Sequence, residues 1–275
     1  QSKEERQARR VLEPGNAIAS PNHKYTVVKL LGSGGFGDVY KVEDEETHVK
    51  LALKTEFYGS KMPRLKIEAF VLEKCSLAPT EKRGHFLTLR DKGTTEDFKF
   101  MCMEVVGPSL ESVRKTCGSD FRQDDETRIY ILDFGIAREY KTSSGEIRNP
   151  RPKVPFCGTP RYAARACHKK EEQSPKDDLE IWCYMVFDVF DYTSLPWKKD
   201  SDREKILKKK EELMMGTKSP TRKCPRDFLR IVKYVNELNY IDVPDYRWIM
   251  DLLDEMVKES KVDASNEALD WVGKI

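Results

Sequence analysis

Apolar and polar positions alternate with a period of two from Tyr25 onward. Tyr25–Leu31, Val39–Val42 and Val49–Lys54 each predict a β-strand, with turn residues between them. Over residues 60–76 the period changes: Leu65, Ala69 and Leu72 recur at helical spacing, with Glu68 on a neighbouring face. Phe86–Leu89 and Phe98–Met103 return to the strand pattern, and this part ends near Val106-Gly107-Pro108. Downstream the pattern is helical. Asp177–Asp191 is apolar nearly all round (Leu179, Ile181, Trp182, Met185, Val186, Phe187, Val189, Phe190), which predicts a helix buried on most sides. Ser174, Pro175 and the acids Asp177 and Asp178 supply its start. Phe228–Leu238 and Tyr246–Val257 predict two amphipathic helices, and the run Lys208-Lys209-Lys210 beside Glu211-Glu212 reads as a solvated helix face. Residues 1–24, basic at the start and broken by Pro14, Gly15 and Pro21, read as a polar, solvated extension. A small antiparallel sheet with one helix, followed by a mainly helical part, is an α+β arrangement.

Composition narrows the partners. The 275 residues carry 49 Lys+Arg against 47 Asp+Glu, a net charge of +2, so neither nucleic acid nor an anionic membrane is indicated. With 12 Phe, 11 Tyr and 4 Trp the chain is globular rather than disordered. Seven cysteines without a C-x-x-C pair argue against a disulfide framework or a zinc ribbon, and a reducing, cytoplasmic compartment fits them best. Cys157 and Cys167-His168 lack a second ligand pair at metal-binding spacing. The longest apolar run, Ile181–Phe187, is far short of the roughly 18 residues that cross a bilayer. A chain that opens on Gln1 reads as a piece of a longer protein.

Four features carry chemistry. Gly32-Ser33-Gly34-Gly35-Phe36-Gly37 contains G-x-G-x-x-G, whose glycines let backbone N–H groups approach phosphate. A dinucleotide fingerprint would open a helix there. Asp38-Val39-Tyr40-Lys41-Val42 alternates like a strand instead, so the glycines cap a hairpin, which favours a phosphate-covering loop over a Rossmann turn and leaves a glycine-rich hairpin without ligand as the alternative. Lys54 ends the apolar strand Leu51-Ala52-Leu53, and Glu68 on the next helix is its natural partner. Ile129-Tyr130-Ile131-Leu132-Asp133-Phe134-Gly135 reads as a buried strand that presents an Asp able to hold Mg²⁺.

In this order the four motifs resemble the eukaryotic protein kinases. Met103-Glu104-Val105-Val106-Gly107-Pro108-Ser109-Leu110 resembles the hinge of the casein kinase 1 superfamily, and Gly158-Thr159-Pro160-Arg161-Tyr162-Ala163 its activation-segment end. Asp177-Asp178-Leu179-Glu180 with Trp182, and Ser194-Leu195-Pro196-Trp197, are similar to tau-tubulin kinases and related worm kinases. The resemblance runs from about Tyr25 to Val257. It implies a bilobal fold, with a small lobe over 25–104 and a large lobe over 105–275, that binds ATP and Mg²⁺ and phosphorylates Ser/Thr of a protein partner, acidic or phosphorylated. Gly32, Ser33, Gly34, Gly35, Phe36 and Gly37 would then cover the phosphates. Leu31 and Val39 would sandwich the adenine beside Ala52, and Met103 would be the gatekeeper, with backbone groups of Glu104–Val106 bonding adenine. Lys54, paired with Glu68, would hold phosphate oxygens and Asp133 the metal. Asp178 would anchor the catalytic region, and Arg161 would contribute to an anion pocket.

One part of that pattern is missing. A protein kinase carries H-R-D-x-x-x-x-N between hinge and D-F-G, its Asp the base and its Asn a second metal ligand. Leu110 and Asp133 are separated by only 22 residues, none of them His. Arg90-Asp91-Lys92 precedes the hinge and Arg226-Asp227 lies far downstream, so both read as surface charges. The chain therefore reads as carrying an apparent internal deletion near 121–125. Three explanations stand open: residues absent from this sequence but present in the natural protein, a deletion product, or a pseudokinase that binds partners. Omission or deletion is favoured, because losing a core helix would bare apolar surface that nothing else in the sequence re-covers.

Overall fold

The computed structural model describes residues 11–34, 37–58, 63–112, 128–216 and 219–260. These fall into two compact units, divided between Ala137 and Arg138. The expected gap near 121–125 lies outside the described residues.

The first unit is a six-stranded antiparallel sheet in the order β1-β2-β3-β4-β6-β5. Its strands are β1 (Ala17–Ala19), β2 (Lys24–Ser33), β3 (Asp38–Asp44), β4 (Lys50–Phe57), β5 (Leu89–Thr94) and β6 (Phe98–Glu104). Helix α1 (Arg64–Ser76) and the single turn α2 (Thr80–Arg83) lie between β4 and β5 in sequence. Both faces of the sheet centre are covered, which explains the nearly unbroken apolar run of β4. One face gathers Leu12, Ile18, Tyr25, Tyr40, Leu53 and Phe100. The other packs Ala52, Met101 and Met103 against Leu65, Ala69 and Leu72 of α1.

Two expectations change here. Residues 11–24 are not a solvated arm: Leu12 and Ile18 are buried, and β1 pairs with β2. The strand expected at Phe86–Leu89 runs instead over Leu89–Thr94, an edge strand whose Asp91, Lys92 and Thr94 mask its period-two signal. Among the described residues, the strand pairing of Phe86 is limited to an isolated bridge with Ile131. Arg90 and Lys92 are surface charges, as read, paired with Glu104 and Glu73.

The second unit is helical, with α3 (Arg165–Lys169), α4 (Pro175–Phe190), α5 (Arg203–Met215), α6 (Phe228–Glu237) and α7 (Tyr246–Ser260). Tyr184, Phe187, Trp197, Ile206, Phe228, Ile231 and Leu252 form its core. At the start of α4, Asp177 accepts the Ser174 backbone N–H at 2.8 Å, closing the expected cap. The helix is less buried than its composition predicts: Cys183, Tyr184 and Phe187 face the core, but Met185, Val189 and Phe190 are exposed. Asp178, the expected anchor, is exposed as well, and Asp177 is the buried acid of the pair. No helix among the described residues is long and apolar enough to cross a membrane.

Candidate functional site

Lys54 stands on β4 between Val39 of β3 and Met101 of β6. Its Nζ lies 2.5 Å from Glu68 Oε2 and 3.0 Å from Asp133 Oδ1. The three predicted charges therefore meet. Glu68 reaches Lys54 because α1 is tied to the same strand. Its N-cap position is Pro63, which offers no side-chain cap. The buried Glu56 of β4 takes over, its Oε1 accepting the backbone N–H of Arg64 at 2.7 Å and of Leu65 at 3.2 Å. Lys54 and Glu56 point to one face of β4, about 6.6 Å apart along the strand. The next turn of α1, rising about 5.4 Å, then brings Glu68 to Lys54. Sequence reading missed Glu56, since a cap borrowed from a strand leaves no local signal.

Burial alone would pull the Lys54 amine down, but the hydrogen bond and charge of Glu68, with the charge of Asp133, more than offset it. The amine stays a cation. Asp133 itself has φ 66°, in the left-handed region that non-glycine residues enter mostly where surroundings hold them. The hold is visible: Ile131 N–H donates to His85 O at 2.9 Å, and the Phe134 ring packs 5.9 Å from that of Phe86. The Asp133 side chain is 76% exposed, presenting its carboxylate outward. The segment before it is not the buried strand expected. Ile129, Ile131 and Leu132 are all about half exposed, and among the described residues its only ladder contact is the Phe86 bridge.

The described positions expected to hold nucleotide lie on the same unit. Ala52 and Met103 are buried cross-strand partners, with Val39 and Val106 packed on their cluster, while Leu31 is exposed. Gly32 pairs with Val39 and Ser33 with Asp38, and Gly34 N–H donates to Gly37 O at 3.0 Å. Gly35 and Phe36 lie outside the described residues. A Cβ on Gly37 would sit 1.6 Å from the Thr55 carbonyl oxygen, so only glycine fits where the loop returns to β4. Glu104 accepts the Thr88 backbone N–H at 2.5 Å and Arg90 Nη2 at 2.7 Å, fixing the end of β6. Among the described residues no group of three His, Cys, Asp or Glu could hold a metal. Mg²⁺ held by one carboxylate plus nucleotide phosphates needs no such cage, and Asp133 suits that role.

In the second unit Arg161 pairs with Asp188, which also accepts the Tyr162 hydroxyl at 2.9 Å. The guanidinium lies 5.5 and 4.9 Å from the ring centres of Tyr162 and Tyr192, so its charge already has an internal partner. Lys210 overturns an expectation. It is fully buried, not part of a solvated face. Its Nζ donates to Pro160 O at 2.8 Å and to Ala163 O, tying α5 to the Gly158–Ala163 motif. The rings of Tyr184 and Trp197 lie 4.9 and 5.2 Å away. The signal was the spacing Ile206, Lys210, Leu213, Met214, which puts Lys210 on the apolar stripe.

No family model matches the chain. The worm serine/threonine-protein kinase spe-6, of Caenorhabditis elegans, is 30% identical, with 98% of this chain and 81% of that protein covered. This chain belongs to the serine/threonine-protein kinases. A second kinase of the same worm is 32% identical over 73% of this chain and 72% of its own length. A serine/threonine-protein kinase by name from Dictyostelium discoideum is 27% identical over 90% of this chain. The spe-6 alignment spans 315 positions while this kinase supplies 98% of its 275 residues, so about 45 positions face no residue here.

Proposed function

We propose that this kinase family member binds Mg²⁺-ATP through its sheet unit and, as it stands, transfers the γ-phosphoryl group to protein Ser/Thr at most very slowly. The observation that carries the reading is the assembled Lys54, Glu68 and Asp133, at 2.5 and 3.0 Å. Lys54 would hold phosphate oxygens, Glu68 would keep its amine aimed and charged, and Asp133 would hold Mg²⁺. Bound Mg²⁺ would supply charge neutralisation at the phosphates. Gly32, Gly34 and Gly37 would let the backbone approach the phosphates closely, and Val39, Ala52 and Met103 would form the apolar seat of adenine.

Impaired transfer follows from the short interval between Leu110 and Asp133, which holds neither H-R-D nor the second metal ligand. The roughly 45 unmatched positions of the spe-6 alignment fit a segment that relatives carry and this chain lacks. Gly107-Pro108-Ser109-Leu110 just after the hinge and the Gly158–Ala163 motif support the casein kinase 1 branch, and with it an acidic or phosphorylated protein partner. Seven cysteines without a C-x-x-C pair support a reducing, cytoplasmic setting. A second reading, a protein-binding pseudokinase, is favoured by the exposed Met185, Val189 and Phe190 on α4. Calorimetric titration with Mg²⁺-ATP tests the nucleotide reading: saturable binding that weakens without Mg²⁺ is expected, and its absence in folded protein refutes it.

A further inference from the structure

Asp38 follows the glycine motif directly, and in the sequence it looks like any acid opening a strand. Its surroundings say otherwise. It is buried, and a buried carboxylate is costly unless hydrogen bonds satisfy it. Ser33 Oγ donates to its Oδ1 at 2.6 Å, and Tyr40 OH donates to its Oδ2 at 3.2 Å. Its backbone N–H donates to Thr55 Oγ1 at 3.1 Å, and that hydroxyl donates back to the Asp38 carbonyl at 3.2 Å. Tyr40, fully buried, accepts the Leu12 backbone N–H at 3.1 Å. A hydrogen-bonded line thus runs from the strap before β1, through Tyr40, to a carboxylate that joins the two strand ends flanking the glycine turn.

We propose that Asp38 is a positioning residue for the nucleotide phosphates, clamping Ser33 of β2 to β3 and to Thr55 of β4, with the Leu12 segment and Tyr40 holding it in place. The proposal rests on the nucleotide reading above and adds to it what fixes Ser33 and Asp38, the described strand ends on either side of the glycines, beside the strand that carries Lys54. Val39, the next residue, pairs with Lys54, and Gly37 seats against Thr55, so the clamp sits one strand position from the phosphate-binding amine. The adenine seat of Val39, Ala52 and Met103 belongs to the opposite face of the sheet and does not depend on it.

The clamp predicts a sign that charge alone does not. Removing a carboxylate near triphosphate should, by relief of like-charge repulsion, tighten ATP binding. Loss of the clamp should weaken it.

The experiment is calorimetry on the full chain and on Asp38→Asn, Tyr40→Phe and Ser33→Ala, each titrated with Mg²⁺-ATP and separately with adenosine, after thermal unfolding has established which variants fold. Asp38→Asn is expected to lose about tenfold in Mg²⁺-ATP affinity, the scale of a charge-assisted hydrogen bond that preorganises a loop, with adenosine affinity held within about twofold. Tyr40→Phe and Ser33→Ala should each lose part of this, again for Mg²⁺-ATP only. Ser33 is exposed, so its variant reports even if Asp38→Asn fails to fold. Equal losses for both ligands, unchanged affinities, or tighter Mg²⁺-ATP binding would overturn the positioning role while leaving nucleotide binding intact. Wild-type protein that binds neither ligand would overturn the nucleotide reading, and the role of Asp38 with it.

Discussion

Replacing Lys210 with Met should change how stability depends on pH. Burial pulls this amine down from its usual 10.5 to about 7, only partly opposed by the charges of Glu180 and Cys167. Below pH 7 the folded state carries a buried cation and the unfolded state a solvated one. Between about 7 and 10.5 the unfolded chain binds more protons at this site, so stability rises with pH. At about 1.4 kcal/mol per pH unit, less for the half-titrated start, the gain from pH 7 to 9 is about 2 kcal/mol. Met is unbranched, one heavy atom shorter than Lys, and removes the titration, at an offset that does not vary over this range. His168, drawn below its ordinary value by burial and then by Lys210, titrates beneath the window, and burial keeps the Cys183 and Cys224 thiols protonated above it. Urea unfolding of both proteins at pH 7, 8 and 9 should show wild type gaining about 2 kcal/mol on the variant. Parallel curves would refute the reasoning. They would mean that the two carbonyls and two aromatic faces hold the charge fully despite burial.

Lys54→Ala should lower Mg²⁺-ATP affinity at least about tenfold by calorimetry, because it removes the cation that Glu68 and Asp133 hold in place. Glu56→Ala leaves two N–H groups of α1 without their acceptor and should cost about 1–3 kcal/mol in urea unfolding. Gly37→Ala cannot place its Cβ 1.6 Å from Thr55 O without moving backbone, so it should weaken Mg²⁺-ATP binding more than Gly34→Ala, whose nearest neighbour is 3.8 Å away.

Legibility followed the range of the interactions. Period-two and helical patterns located β2, β3, β6, α1, α4, α6 and α7, because a buried face writes itself into the sequence, and the short apolar run of β4, buried on both faces, located that strand. Lys54, Glu68 and Asp133 were legible as a set, since motif order implied a site that spacing alone did not, and the structure brings the three together. What stayed hidden depends on distant partners. β1 is three residues whose register comes from β2. Glu56 serves a helix that starts eight residues later, and Lys210 is buried by carbonyls about fifty residues away. The exposed side of α4 was misread because its apolar composition cannot say which faces find a partner.

The central claim, a nucleotide site intact and a transfer machinery incomplete, is tested most directly by phosphoryl transfer itself. Alignment of reacting groups can account for about 7–11 kcal/mol of a barrier. Losing even about 5 kcal/mol of it slows turnover more than a thousandfold. Radiolabelled ATP and an acidic protein substrate should be given to this chain, to its Asp133→Asn variant, and to a version carrying a family-like H-R-D-x-x-x-x-N segment between Phe121 and Asp125. Label should enter the substrate only with the restored segment. Robust transfer by the chain itself, abolished in Asp133→Asn, would contradict the central claim and reveal a substitute base.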